Sequence, residues 1–285
     1  MMEKILITGG TGTLGNHIVD SLHNLAVVRI YSRDEYKQKQ MREKYPNCKY
    51  LIGDVRDKER LDMAMEDIDV VIHAAALKQI DTGEYNPFEF IKTNINGTQN
   101  VIECALRNNV KQVLLISSDK AVNPVNLYGF TKGCAERLIV AANNYRGKHK
   151  TEFKFVRYGN VFASRGSVLE AWNHNFEVRD RDATRYHLSV DQALDIIKNA
   201  LESNYIINIP TNLCSYSLGD LADVYSELTG KKPIYTQLLP GEKKHETLDG
   251  IVNSYNARRI PKDVLRCLVS DYLNLTLVKK KKMLL

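Results

Sequence analysis

The stretch KILITGGTGTLGNHIV, Lys4–Val19, joins a short apolar run to a glycine-rich turn and then to a segment with helical periodicity. Within the turn, Gly9, Gly12 and Gly15 have the spacing G-x-x-G-x-x-G. Such a turn lets backbone amides approach a pyrophosphate at the positive end of the next helix. Glycines alone are a weak signal, since a merely structural turn would also use them. Their position between a strand and a helix nevertheless predicts a dinucleotide site.

Beyond this turn, short β-branched runs alternate with longer amphipathic segments. The predicted strands are KILIT from Lys4, AVVRIY from Ala26, KYLIG from Lys49, DVVIHA from Asp69, QVLLIS from Gln112 and FKFVRY from Phe153. The helical patterns between them include NHIVDSLHNL, RLDMAMEDI and PFEFIKTNINGTQNVIECALRN. Strands buried on both faces and separated by helices predict a doubly wound parallel α/β sheet of the Rossmann type.

The alternation loosens after about Ser164, and this change predicts two domains. Residues 1–164 would form the Rossmann domain, and residues 165–285 a smaller C-terminal cap that is partly interleaved with it. In the second part, SVDQALDIIKNALE and SLGDLADVYSELTG have helical patterns, YIINIP has a strand pattern, and PGEKKHE is typical of a loop.

Composition excludes several classes of protein. The chain has 285 residues, of which 44% are hydrophobic and 26% charged, as expected for a globular protein. Its five cysteines form no C-x-x-C pair, so neither a disulfide framework nor a metal site is indicated, and reduced thiols suggest the cytoplasm. No apolar run approaches roughly 18 residues, which predicts no membrane span. The net charge of +6 is scattered, which favours an anionic small molecule over nucleic acid.

The end of the second predicted strand indicates which dinucleotide binds. An NAD-binding protein usually places a carboxylate there for the ribose 2′-hydroxyl, but this chain has Ser32 and Arg33, with Lys37 one turn further on. A hydroxyl and two cations suit a 2′-phosphate, which an arginine can hold with two hydrogen bonds. The pattern therefore predicts NADP. The alternative is that Arg33 only pairs with Asp34 or Glu35.

Further cofactor contacts are expected at the ends of the third and fourth strands. Asp54 and Val55 would lie beside the adenine, and the small residues of HAAALK would approach the phosphates. His73 is predicted to be a packed core histidine without a catalytic role. The complete predicted cofactor set is Gly9, Thr11, Gly12, Thr13, Leu14, Gly15, Ser32, Arg33, Lys37, Asp54, Val55, Ala75, Lys78, Tyr128 and Lys132.

Proton carriers are concentrated in SSDKAVNPVNLYGFTK, Ser117–Lys132, which we call the acid–base segment. Tyr128 and Lys132 are four apart and share a helix face. An ammonium close to a phenol favours the phenolate, so Tyr128 could take a proton from a substrate hydroxyl. The Y-x-x-x-K pair, with Ser118 at the end of the preceding strand, resembles the extended short-chain dehydrogenase/reductases that use nucleotide sugars.

Asp119 and Lys120 add a second acid and base to this segment. Oxidation or epimerisation at one carbon needs only the tyrosine and serine. Elimination of water needs an acid at the departing oxygen and a base at the neighbouring carbon. Moving one proton within the pair gives a neutral acid and a neutral amine, so the two groups should titrate together. The pair therefore predicts dehydration, and the alternative is a salt bridge that stiffens the loop.

The acid–base segment, together with YSRDEYKQ, GDVRD, HAAALKQ, FVRYGNVFASRGSV, TRY and PGEKKHE, resembles the inverting UDP-N-acetylglucosamine 4,6-dehydratases (5-epimerases). The resemblance runs to about Gly250 and implies an NADP-dependent hydro-lyase of nucleotide-sugar and polysaccharide biosynthesis. It implies Asp119 as the acid at the carbon-6 oxygen and Lys120 as the base at carbon 5. The product would be UDP-2-acetamido-2,6-dideoxy-β-L-arabino-hexos-4-ulose. Retaining relatives carry methionine where Tyr128 stands, so this tyrosine favours inversion.

The resemblance also implies a substrate set, namely Lys78, Tyr128, Asn160, Val168, Arg185 and Glu242, and a homo-oligomer, either a dimer or a hexamer. Two features depart from the family pattern. Leu239 stands where an arginine usually precedes P-G-E-K, and the stretch from Val168 to Thr184 is shorter than usual. The alternatives are a retaining 4,6-dehydratase, a nucleotide-sugar 4-epimerase, or a non-catalytic NADP-sensing protein on the same fold.

Overall fold

The computed structural model describes residues 2–164 and 166–283. Its strands are β1 Lys4–Thr8, β2 Val27–Ser32, β3 Lys49–Ile52, β4 Val70–His73, β5 Gln112–Ile116, β6 Glu152–Val156, β7 Glu177–Arg179, β8 Thr184–Tyr186, β9 Ile207–Asn208, β10 Ser215–Ser217 and β11 Ile234–Thr236. Its helices are α1 Thr13–Leu22, α2 Glu35–Lys44, α3 Lys58–Met65, α4 Ile80–Tyr85, α5 Pro87–Phe90, α6 Gly97–Arg107, α7 Leu127–Tyr145, α8 Val168–His174, α9 Val190–Glu202, α10 Leu218–Thr229 and α11 Lys262–Met283.

Seven parallel strands form the main sheet within the described residues, in the order β3-β2-β1-β4-β5-β6-β9. The chain starts at β1, moves outward to β3, and then returns to β4 on the other side of β1. This reversal brings the ends of β1 and β4 together, with Thr8 paired to His73. Ligands of doubly wound sheets bind at such a reversal. The predicted fold class is confirmed.

Side chains of Asp34, Asp57, Asn126 and Ser217 start four of the helices. Each accepts a hydrogen bond from a backbone amide three residues later, which satisfies one of the amides that a helix start leaves without a partner. The long helical stretch expected from Pro87 to Asn108 is interrupted, because a π-helical turn at Ile91–Asn96 separates α5 from α6.

Backbone contacts divide the chain into two units. The first runs to Tyr158 and also takes in Val190–Pro210. Its core lies between the sheet and helices α3, α6 and α7, where apolar side chains such as Leu61, Val101 and Ile139 are fully buried. This core fixes the carboxyl ends of β1, β2, β4 and β5 from which the candidate site is built.

The second unit comprises Gly159–Ser189 and the chain from Thr211. It contains the antiparallel pair β8 and β10 and the parallel pair β7 and β11. Its core has Trp172 packed against Phe176 and Tyr225, with ring centroids 4.8 and 5.5 Å away. The indole nitrogen of Trp172 donates to the Glu177 carbonyl at 2.7 Å, so this buried polar group is satisfied.

Helices long and apolar enough to cross a membrane are absent from the described part of the chain. Over the same residues, histidine, cysteine and carboxylate side chains form no cluster suited to a metal ion. The five cysteines are free thiols.

Candidate active site

The glycine turn, Thr8–Gly15, is held by backbone packed against backbone. Gly9 has φ +70°, and a β-carbon on it would lie 2.8 Å from Cα of Ala75. A β-carbon on Gly15 would lie 2.5 Å from the carbonyl oxygen of Gly9. Real contacts of this kind are never so short, so only glycine allows the turn to close on itself and on the loop after β4.

Helix α1 begins directly after this turn and presents its amino end to the loop. Gly12 is the N-cap, and the first turn of the helix carries no acidic side chain. The first amides of a helix have no acceptor within the helix, and the helix dipole makes this end positive. Gly12 and Thr13 are exposed. The turn and the helix start therefore fit an anionic diphosphate.

The two cations that follow β2, Arg33 and Lys37, both form partly exposed ion pairs. Arg33 pairs with Asp54 at 3.6 Å, and not with Asp34 or Glu35 as the sequence alternative supposed. Asp54 also accepts two hydrogen bonds from the Arg56 guanidinium, at 2.9 and 2.6 Å. Burial alone would raise the pKa of the Asp54 carboxyl, but the Arg56 hydrogen bonds, aided by the charge of Arg33, hold it below its ordinary value.

Lys37 and Ser32 complete this edge. Lys37 pairs with Asp34 at 2.6 Å and keeps about two fifths of its side chain exposed, at 42%. The Ser32 hydroxyl is buried and accepts a hydrogen bond from the Gln38 amide at 3.0 Å. Exposed ion pairs contribute little to stability, so an incoming phosphate could displace the carboxylates. Arg33 and Lys37 are thus available to an anion, whereas Ser32 is engaged by Gln38.

The remaining predicted cofactor residues differ in exposure. Val55 is 5% exposed and packs in the core, where its methyl group would lie 2.7 Å from a β-carbon at Gly97. Ala75 is partly exposed beside the glycine turn, and Lys78 is exposed on the loop that follows β4.

The acid–base segment forms a compact group at the end of β5. A 3-10 turn spans Asp119–Ala121, and Ser118 is its N-cap. Oδ1 of the buried Asp119 accepts from the Ser118 hydroxyl at 2.8 Å and from the Lys120 amine at 3.0 Å. The proton that would convert the ion pair into a neutral acid and a neutral amine therefore has one short hydrogen bond to cross.

Tyr128 lies on the first turn of α7, close to Ser118, Asp119 and Lys120. Burial raises the pKa of the Tyr128 phenol, and the negative charge of Asp119 acts in the same direction. The positive charge of Lys120 and the Ser118 side chain act against this rise. The phenol, the serine, the carboxylate and the amine therefore belong to one interacting group.

Lys132 is 3% exposed, and its amine donates to the Ile116 carbonyl at 2.6 Å. Burial lowers the pKa of the Lys132 amine to about 8, and the charge of Glu136 opposes this fall. The amine therefore changes its charge close to physiological pH, although a free lysine would not.

Helix α7 approaches the 3-10 turn so closely that it requires glycine. A β-carbon on Gly129 would lie 2.3 Å from the carbonyl oxygen of Lys120. The same glycine donates its amide to the Asn126 side chain at 2.8 Å, which fixes the start of the helix. Gly129 and Asn126 thus set the distance between Tyr128 and Lys120. The sequence analysis assigned neither of them.

His73 joins a chain of hydrogen bonds across the sheet. Thr98 donates its hydroxyl to the Asn94 carbonyl at 2.7 Å, so it must accept from Nε2 of His73 at 3.2 Å. Nδ1 of His73 then accepts from the Thr8 hydroxyl at 2.7 Å, and Thr8 accepts the Ala75 amide at 3.3 Å. Burial lowers the pKa of His73 to about 3, so the ring is neutral. It is a core histidine, as predicted.

Asn94 connects the loop after β4 to α7, a link that the sequence analysis did not predict. Its side chain lies in the π-helical turn, is 2% exposed, and bonds both the amide and the carbonyl of Leu77 at 2.9 Å. It also donates to the Thr131 hydroxyl at 3.0 Å, and Thr131 donates to the Tyr128 carbonyl. The loop after β4 is thereby tied to α7. An asparagine within NING gave no local signal for contacts so distant in sequence.

The predicted substrate residues fall in both units. Lys78 and Tyr128 lie in the first, and Asn160, Val168, Arg185 and Glu242 lie in the second. Val168 begins α8 and packs on the second core. Arg185 on β8 donates to the carbonyls of Thr184 and Lys244, at 2.8 and 3.2 Å. Asn160 is partly exposed.

Glu242 orders the loop in which Leu239 departs from the family pattern. Its carboxylate accepts from the Arg179 guanidinium at 3.0 Å and from the Leu239 amide at 3.0 Å. Arg179 also pairs with Glu177 at 3.4 Å. A guanidinium of β7 is therefore linked to this loop through Glu242.

A parallel doubly wound sheet with a glycine turn after β1 and a Y-x-x-x-K helix after β5 defines the extended short-chain dehydrogenase/reductase class. Within that class, the chain belongs to the family described as polysaccharide biosynthesis protein, which matches residues 5–265. The resemblance drawn from the motifs is confirmed.

Three relatives illustrate this similarity. The inverting UDP-N-acetylglucosamine 4,6-dehydratase of Campylobacter jejuni is 43% identical over 260 residues, which are 86% of this chain and 77% of that protein. A UDP-glucose 4-epimerase of Rickettsia bellii is 42% identical over 214 residues, which are 70% of this chain and 63% of that protein. The X-ray structure of Pen from Bacillus thuringiensis is 36% identical, with a TM-score of 0.87, and the match covers 94% of this chain and 97% of that one.

Proposed function

We propose that the protein is an NADP-dependent UDP-N-acetylglucosamine 4,6-dehydratase that inverts carbon 5. The observation that carries the proposal is the buried Asp119–Lys120 ion pair joined to Ser118 and Tyr128. Four proton-carrying groups in one cluster exceed what oxidation at a single carbon requires. The 43% identity to an enzyme named for this reaction supports the same substrate.

Each group has a distinct task in this proposal. Tyr128 accepts the proton of the carbon-4 hydroxyl, helped by the positive charge of Lys120 and the Ser118 side chain. The resulting ketone makes the carbon-5 hydrogen acidic. Lys120, after passing a proton to Asp119, removes that hydrogen as a neutral amine, and Asp119 protonates the carbon-6 hydroxyl, which leaves as water. A bound nicotinamide would supply the acceptor for the carbon-4 hydride and the donor that returns it to carbon 6, so no net oxidant is consumed. A proton from solvent, added to carbon 5 from the opposite face, would complete the product and invert that carbon.

The residues that would hold the dinucleotide lie at the carboxyl ends of β1, β2, β4 and β5. The exposed start of α1 fits the pyrophosphate, and the Gly9 and Gly15 contacts show why the turn has no side chains. Arg33 and Lys37 support NADP over NAD, because their ion pairs are partly exposed and replaceable. Lys132 would lie beside the bound nicotinamide and ribose.

The substrate set implied by the resemblance has members in each unit: Lys78 and Tyr128 in the first, and Asn160, Val168, Arg185 and Glu242 in the second. We add Arg179 to the proposed substrate residues. Glu242 holds its guanidinium and also binds the amide of Leu239, the position at which the family usually has an arginine. A homo-oligomer remains a prediction of the resemblance.

The test is incubation of the purified protein with NADP⁺ and UDP-N-acetylglucosamine in deuterated water, followed by NMR of the sugar. The proposal expects a 4-keto-6-deoxy sugar with the L configuration and deuterium at carbon 5. A product that retains its original carbon-5 hydrogen and the D configuration would contradict inversion. Conversion to UDP-N-acetylgalactosamine without loss of water would establish the second candidate, a 4-epimerase, which the Rickettsia bellii relative's name favours.

A further inference from the structure

The end of β5 and one face of α7 are joined by a regular set of contacts that extends past the predicted catalytic residues. The last residue of β5 and the two residues that follow it each face a residue of α7, and these helix residues are spaced four apart. The Ile116 carbonyl accepts a hydrogen bond from the Lys132 amine, the Ser117 hydroxyl donates to the Glu136 carboxylate, and Ser118 lies beside Tyr128. The acid–base segment therefore has a third helix position, Glu136, that the Y-x-x-x-K pattern does not include.

Glu136 is a buried carboxylate with a dedicated partner. It is 3% exposed, and Arg157, at the end of β6, donates to it from Nε at 2.8 Å and from Nη2 at 2.5 Å. The Arg157 side chain is itself 17% exposed. A two-pronged ion pair of this kind is geometrically specific. Loss of one partner leaves the other charge buried and uncompensated.

The position of Glu136 one helical turn after Lys132 couples the two charges. Burial lowers the pKa of Lys132, and the negative charge of Glu136 raises it. The other titratable groups on the elements around this amine are Tyr128 on the same helix, His73 on β4, and Asp119 and Lys120 on the 3-10 turn. His73 is neutral, so it does not replace Glu136 as a counter-charge.

We propose that Glu136 is a positioning residue for Lys132: its carboxylate, fixed by Arg157 and Ser117, is the buried counter-charge one helical turn from the amine and holds α7 on the end of β5. The effect of Glu136 on Lys132 does not depend on the proposed function. Its consequence for catalysis does, because only in the proposed function does Lys132 act beside the dinucleotide and Tyr128. Arg157 limits the effect, because its positive charge offsets part of the charge of Glu136. The two members of this ion pair should therefore move the titration of Lys132 in opposite directions.

The experiment is an NMR titration of protein labelled with ¹³C at the lysine ε-carbon, with the Lys132 signal assigned by its loss in Lys132→Arg. Glu136→Gln should shift the Lys132 titration about one pH unit down, and Arg157→Gln should shift it up. The double variant, which leaves neither charge unpaired, should titrate between them. Glu202→Gln, at an exposed position of α9, is the matched control and should leave the titration unchanged.

Unchanged Lys132 titration in the three variants, or shifts of the same sign in both single variants, would overturn the proposal. A purely structural role predicts lower stability without opposite shifts. If either single variant does not fold, the remaining one decides by the sign of its shift. The titration needs neither dinucleotide nor sugar, so its outcome is independent of the proposed function. If the enzyme is active as proposed, the alkaline limb of its pH–rate profile should move with the Lys132 titration.

Discussion

The glycine turn and the acid–base segment follow strands of the same sheet, but different atoms hold them in place. At the turn, backbone packs on backbone, and β-carbons on Gly9 and Gly15 would lie within 2.8 Å of other backbone atoms. In the segment, Ser118, Asp119 and Lys120 are held by side-chain hydrogen bonds of 2.8 to 3.0 Å. The turn should therefore be sensitive to any added atom. The segment should be sensitive to loss of a proton carrier while its shape survives.

The largest effect is expected in the segment. Lys120→Ala should lower the rate of dehydration about a hundred- to ten-thousandfold, the usual cost of losing a general base. Dinucleotide affinity should stay close to wild type, because the lysine is not part of the turn, whereas the unfolding temperature should fall because the buried Asp119 loses its counter-charge. Stopped-flow absorbance of the nicotinamide measures oxidation at carbon 4, and NMR of the product measures dehydration. Lys198→Ala, at an exposed position of α9, is the control. Dehydration at near wild-type rate would show that the ion pair only stiffens the loop.

Gly15→Ala tests the glycine turn by adding an atom, whereas Lys120→Ala removes a proton carrier from the acid–base segment. A methyl group 2.5 Å from the Gly9 carbonyl must displace the turn, so the free energy of unfolding should fall by about 1–3 kcal/mol and dinucleotide affinity should fall with it. Gly147→Ala is the control. It adds a methyl group at φ +60° with nothing within 4 Å, so it should cost about 1–2 kcal/mol without loss of affinity. Chemical denaturation and cofactor titration distinguish the two variants, and equal affinities would contradict the steric argument.

Arg33→Ala tests whether side chains near the turn choose the dinucleotide. Loss of the Arg33 guanidinium should reduce the preference for NADP⁺ over NAD⁺ by on the order of ten- to a hundredfold. This corresponds to about 1.5–3 kcal/mol, the range for hydrogen bonds to a charged group. Fluorescence titration with both reduced cofactors measures the ratio, and Lys39→Ala on the exposed face of α2 is the control. Equal affinity of the wild type for the two cofactors would contradict the NADP assignment.

The smallest expected effect concerns His73, which lies between the two regions. Its pKa is depressed to about 3 in the folded protein from an ordinary 6.5. The unfolded chain therefore binds an extra proton in that interval, and the free energy of unfolding should fall by about 1.4 kcal/mol per pH unit as pH drops below 6.5. His73→Gln should flatten this dependence in denaturation measured from pH 6.5 to 5. The same change at the exposed His174 is the control. An unchanged slope in His73→Gln would mean that another group is responsible.

Local patterns predicted what contiguous residues decide. The strand alternation from Lys4 to Phe153 gave the confirmed parallel fold, because burial on both faces leaves a direct mark on composition. Asp119 and Lys120 are neighbours in the chain, so their pairing followed from adjacency. The patterns did not predict the π-helical turn at Ile91–Asn96, because the helical pattern of the sequence continues through it while the number of residues per turn changes.

The sequence by itself determined the fold class, the position of the glycine turn and the set of proton carriers, since each depends on residues a few positions apart. Only the tertiary structure decided which partners those groups meet. Lys132 donates to Ile116, and Lys120 supplies a cation that acts on Tyr128. Contacts such as Glu136 with Arg157 join residues on different elements, and their distance and burial arise only when the sheet brings those elements together. No local periodicity encodes such pairs, because periodicity reports which face is buried and not what lies opposite it.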